Sequence, residues 1–151
     1  MPKTVEMIVG LKVPDTTAIT TLQTLQKIGF GKIKNVQRAD YYKFSIEGDA
    51  EKFKDKICKV DILVNANKNS CSFSISREDT TKILVKNIND GGSGILPTLK
   101  NRLGFKNIKK IEKAVLWGLV IDADEKEARK IADKAARELL INGHYQIYAI
   151  L

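Results

Sequence analysis

A chain of 151 residues with 43% apolar and 29% charged side chains carries enough apolar material for a packed core, which excludes wholesale disorder and fits one ordinary domain or two small ones. The net charge is +8, yet each half of the chain nets +4 and no block of five or six like charges occurs, so neither a basic tail nor a concentrated nucleic-acid footprint is indicated. No apolar run is long enough to span a bilayer and the opening MPKTVEMIVGLKV lacks a signal-peptide layout, so the expectation is a soluble, cytoplasmic protein without membrane contact.

In chain order, Val5, Met7, Val9, Leu11 and Val13 alternate, which predicts a strand. Ile19, Leu22, Leu25 and Ile28 recur at helical spacing and stop at Gly29, a residue suited to ending a helix. IKNVQRAD (33–40) and YYKFSIE (41–47) predict two successive strands, the second alternating Tyr42, Phe44 and Ile46. Phe53, Ile57, Val60 and Val64 form a helical stripe, and Cys71, Phe73 and Ile75 alternate again. The order is β-α-β-β-α-β, the ferredoxin-like split unit.

The same pattern then returns. TLQKIGFGKIKNVQRADYYKFSIEG (24–48) aligns with TLKNRLGFKNIKKIEKAVLWGLVIDAD (98–124), placing Gly29-Phe30 on Gly104-Phe105, Ile33 on Ile108, Val36 on Ile111, Tyr42 on Trp117 and Phe44 on Leu119. The second copy closes with a helix carrying Ala128, Ile131, Ala135 and Leu139. The expected fold class is α+β: two tandem ferredoxin-like units with antiparallel sheets, residues 1–77 and 78–151, forming a pseudo-dimer. On the sheet face away from the helices, the first unit would show Tyr41, Lys43 and Ser45, and the second Leu116, Gly118 and Val120. An apolar patch of that kind marks an interface, either between the units or with another chain.

KIGFGKIKNV (27–36) superficially matches the RNA-contacting strand of an RNA-recognition motif. That motif needs aromatics on the open sheet face, whereas Lys32 and Lys34 stand there, and the second copy drops the second glycine. A nucleic-acid reading resting on Lys32, Lys34, Lys106, Lys109 and Lys110 is therefore disfavoured. His144, the only histidine, has no acid and nucleophile beside it in INGHYQ, so no catalytic residue is assigned. Cys58 and Cys71 form no CxxC, and two thiols with one histidine fall short of a zinc set; two reduced, partly buried thiols, no metal and no cofactor are expected. NDGGSGILPTL (89–99) puts Gly91, Gly92, Ser93 and Gly94 before a helix, either as an anion cradle or as a turn needing positive φ.

These motifs resemble the PurS family, the small subunit of phosphoribosylformylglycinamidine synthase. The likeness rests on Leu103-Gly104-Phe105, Ile108, Ile111, Leu119 and Ile121, the acidic helix DADEKEARKIADKAAREL, and Leu139-Leu140-Ile141-Asn142 with Tyr148. In the first copy it rests on Ile28-Gly29-Phe30, Ile33, Val36, Phe44 and Ile46. It departs at the family's VR.GK hairpin, represented here by Val36-Gln37-Arg38-Ala39-Asp40 and Ile111-Glu112-Lys113-Ala114-Val115, where alanine replaces glycine and the lysine is lost. The resemblance implies self-association and a non-catalytic role in de novo purine biosynthesis, holding the ATP-dependent synthetase and glutaminase subunits of a glutamine-dependent ligase together. The alternative is a small-metabolite-sensing module of tandem ferredoxin-like units.

Overall fold

The computed structural model describes residues 3–11, 15–60, 63–64, 69–73, 81–87, 96–141 and 146–151. The elements are β1 (Lys3–Leu11), α1 (Thr16–Lys27), β2 (Ile33–Ile46), α2 (Ala50–Ile57), β3 (Asn69–Ser72), β4 (Thr81–Asn87), a π-helical turn (Thr98–Arg102), β5 (Ile108–Ile121), α3 (Glu125–Ala135), a second π-helical turn (Ala136–Leu140) and β6 (Gln146–Ile150). The strands form one sheet in the order β3-β1-β2-β5-β4-β6, and the β1–β3, β4–β5 and β4–β6 pairings are antiparallel. The class is α+β with an antiparallel open sheet.

One expectation is corrected at once. The two strands read over 33–47 are a single 14-residue strand, β2, and its counterpart β5 has the same length. A tight hairpin needs residues that tolerate positive φ. Arg38-Ala39-Asp40 and Lys113-Ala114-Val115 contain no glycine, and the positive-φ glycines among the described residues are Gly29, Gly48 and Gly104. With nothing to turn it, the chain runs straight on.

That extension has a consequence for domain structure. Contacts divide the chain into two compact units that cut across the sequence halves: Met1–Val13, Asp40–Ile75 and Asp90–Ala114 in the first, and Pro14–Ala39, Ser76–Asn89 and Val115–Leu151 in the second. Both long strands change unit midway, at Ala39/Asp40 and Ala114/Val115.

The first unit's core gathers Val5, Met7 and Val9 of β1, Tyr42, Phe44 and Ile46 of β2, Phe53 and Ile57 of α2, and Leu99, Phe105, Ile108 and Ile111 from the other half of the sequence. Phe53 stands edge-on to Phe44 (centroids 5.2 Å apart) and to Phe105 (5.9 Å), the geometry that aromatic quadrupoles favour. Ile108 and Ile111, three residues apart on β5, both enter this core. The helix expected to run through Val60 and Val64 ends at Ile57. Lys59 and Val60 donate to carbonyls three residues back, tightening the last turn and leading the chain off the helix axis. Val60, Leu63 and Val64 still reach the same core from beyond the helix.

The cysteines are also corrected. Cys58, which caps α2, is disulfide-bonded to Cys71 in β3, with Cα atoms 6.2 Å apart, inside the range a disulfide spans. The short β3 pairs with β1 from Leu11↔Asn69 to Ile8↔Ser72, which brings Cys71 over the end of α2. Such bridges persist in oxidising surroundings, which the expectation of a cytoplasmic setting does not include.

The second unit's core holds Ala18 and Leu25 of α1, Phe30, Ile33 and Val36, Ile83 and Val85 of β4, Trp117 and Leu119 of β5, and Ala132, Ala135 and Ala136. Ile19 and Ile28, expected inside, are exposed. The stripe that packs is Ala18, Leu22 and Leu25, which shares two members with the expected stripe but is turned about the helix axis. Asp15 caps this helix. Its carboxylate accepts from the N–H groups of Thr17 and Ala18 and pairs with Arg38 Nε at 3.0 Å, while Arg38 lies over Trp117. Asp15→Ala removes a cap worth about 1 kcal/mol and strands a half-covered guanidinium. A loss of about 2 kcal/mol in a urea melt is expected; a loss under about 0.5 kcal/mol would mean that Asp15 does not anchor α1.

Candidate interaction surface

Sheet register defines the second unit's other face. Leu84 lies opposite Leu116 and Ala149, Lys82 opposite Gly118, and Lys86 opposite Ile147, so these side chains lie away from the core residues Ile83, Val85, Trp117 and Leu119. Of the three positions expected to form an interface, Leu116 and Gly118 are buried and Val120 is half-buried. Ile147, on edge strand β6, is apolar and 55% exposed. The sequence held a signal for it: QIYAIL alternates, so Ile147 and Ala149 fall opposite Tyr148 and Ile150, which pack on the core. Lys82, opposite Gly118, has its pKa lowered by burial. The carbonyls of Ile150 and Leu151 accept from Arg129, which covers one end of the edge.

Gly91, Gly92, Ser93 and Gly94, the candidate anion cradle, lie outside the described residues, as does His144.

The first unit's corresponding face is polar. Tyr41 donates to Glu6 at 2.6 Å, Lys110 pairs with Glu112 at 3.4 Å, and with Thr4, Lys43 and Ser45 these strands border a shallow cavity of about 220 Å³. Burial, then the hydrogen bond to Glu6, raises the Tyr41 pKa; burial, then the charge of Asp40, pushes Tyr42 up to about 12. Because both folded pKa values lie above the ordinary tyrosine value near 10, the stability linked to the neutral phenols is complete below pH 10 and is lost as pH rises from about 10 to 12. A steep loss of stability across that window is expected, on the order of 2 kcal/mol from Tyr42, and Tyr42→Phe should flatten part of it. An identical alkaline profile for the variant would contradict the assignment.

Several lysines that a nucleic-acid contact would use have partners within the chain. Lys32 pairs with Glu127 at 2.6 Å and Lys109 with Glu47 at 3.6 Å, while Lys34 donates to the carbonyl of Gly31. Asp124 caps α3, with Glu125 and Glu127 in its first turn, so the acidic cluster there serves the helix dipole. Tyr148 donates to Asp133, which also meets Arg137, and the tyrosine's hydrogen bond is the main reason that the Asp133 pKa is lowered. Among the described residues no group of three or more histidine, cysteine or acidic side chains is placed to hold a metal ion, and no helix is long and apolar enough to cross a membrane.

Compared with protein-family models and with curated proteins, the chain matches none.

Proposed function

We propose that this chain is a PurS-like, non-catalytic assembly subunit: a fused pair of ferredoxin-like copies that holds a synthetase and a glutaminase subunit together for purine biosynthesis. The observation that carries the reading is that the resemblance positions do the same job in both copies. Gly29 and Gly104, 75 residues apart, both adopt positive φ at a helix end, and the Phe after each is buried. Asp49 and Asp124, at the same offset, both cap the helix that follows a long strand. Matched turns, caps and 14-residue strands support a duplication, and interleaved units support a chain that builds by itself what two copies would build together. Self-association or partner docking through Ile147 fits an assembly role, since an exposed apolar edge residue on an uncharged strand favours strand pairing.

The test is co-purification with the synthetase and glutaminase subunits of the same cell, with glutamine-dependent ligase activity assayed with and without this chain. Co-elution and a dependence of glutamine-driven activity on the chain are expected; neither appearing would sink the proposal. Ile147→Glu should leave the melting temperature within about 2 °C of the parent while abolishing any self-association seen by elution volume. An unchanged association state would place the contact elsewhere.

A further inference from the structure

In the first unit a cavity of about 260 Å³ opens beside α2. Its floor is Phe53 and Phe105, both buried, and one wall is Leu103, which is 46% exposed. Lys52 and Lys56 line it from consecutive turns of α2, and Asn107 closes the far side. Asp49 and Gly104 complete the lining. The Asp49 carboxylate already accepts from the N–H groups of Glu51 and Lys52, which leaves a lining with one net positive charge.

The second unit carries different side chains at the corresponding place. At the same 75-residue offset, Lys52 corresponds to Glu127 and Asn107 to Lys32, and those two form an ion pair at 2.6 Å. In the first unit the acid has become a lysine and the lysine an asparagine, whose carboxamide donates to the carbonyl of Glu47. Among the described residues neither Lys52 nor Lys56 has a carboxylate partner. Like charges four residues apart on a helix repel, and Leu103 in the cavity lining is apolar surface left wet. One ligand relieves both: an anion between the ammonium groups and an apolar body against the rings, the mixed lining typical of small-molecule sites.

We propose that this cavity binds a small organic anion, a body about one ring in size carrying a phosphate or carboxylate, with Lys52 and Lys56 clamping the anion and Phe53, Phe105 and Leu103 taking the body. The site does not depend on the assembly role proposed above. Amide NMR of the full chain, titrated with phenyl phosphate and with benzoate, tests it, with inorganic phosphate as the comparison. Saturating shifts at Lys52, Lys56, Gly104, Phe105 and Asn107 are expected for at least one aromatic anion, at least ~10-fold tighter than for inorganic phosphate, a factor equal to 1.4 kcal/mol. Lys52→Gln with Lys56→Gln should weaken that binding at least ~10-fold. Lys52→Glu with Asn107→Lys, which installs the second unit's ion pair, should abolish it while the melting temperature holds. No saturable shift, equal affinity for inorganic phosphate, or unchanged binding in either double variant would overturn the proposal.

Discussion

Leu99→Ala is expected to cost about 2–5 kcal/mol, because Leu99 is fully buried and its cavity would open against the first unit's core. At roughly 2–4 °C per kcal/mol for a chain of this size, that is a fall of about 4–20 °C in Tm. The location of the damage matters more than its size. Leu99 belongs to the second half of the sequence but packs with Val5, Met7, Phe44 and Phe53. Amides of α2 should therefore lose exchange protection before those of α1, which belongs to the other unit. A double-mutant cycle sharpens the point. Phe53→Leu and Phe105→Leu, on rings 5.9 Å apart, should couple by about 0.5–1.5 kcal/mol. A coupling of zero would mean that the sequence halves fold as separate units and the interleaving is wrong.

Reduction of the Cys58–Cys71 bridge is the second large effect. The bridge closes a loop with a sequence separation of 13, for which chain entropy gives about 3 kcal/mol, or roughly 6–12 °C in Tm. It ties β3, a four-residue edge strand, to the end of α2, so the loss should be felt first at the β1–β3 pairing. The measurement is a pair of thermal melts with and without reductant, beside thiol titration under native, non-reducing conditions. Two titratable thiols in the unreduced protein would refute the pairing. Cys58→Ser and Cys71→Ser should each match the reduced parent and lose all response to reductant.

Much of this was legible because local pattern and local structure coincide. Val5, Met7 and Val9 alternate and are buried; Gly29 and Gly104 end helical segments in the left-handed conformation that glycine tolerates. Misreadings occur where two local patterns compete. The stripes Ile19/Leu22/Leu25/Ile28 and Ala18/Leu22/Leu25 are both helical, and a methyl side chain gives no hydropathy signal strong enough to mark the packed face. At Phe53/Ile57/Val60/Val64 the spacing is helical, yet a tightened turn delivers the last two residues to the core without a helix. At Leu116 strand alternation says which face the side chain takes, not what covers that face.

Local pattern carries the α+β class, the alternation of the strands and the helix ends at Gly29 and Gly104, since these depend on residues within a few steps of one another. Only the tertiary structure decided how the pieces combine. Each long strand continues past Ala39 or Ala114, and core partners come from 50 or more residues away, as Phe105 does for Phe53. The β1–β3 pairing brings Cys71 to Cys58, and Lys52 and Asn107 line one cavity where the corresponding residues of the other unit form an ion pair. Such contacts depend on which distant surface wins the competition to bury apolar area, a comparison among whole arrangements of the chain that no short window contains.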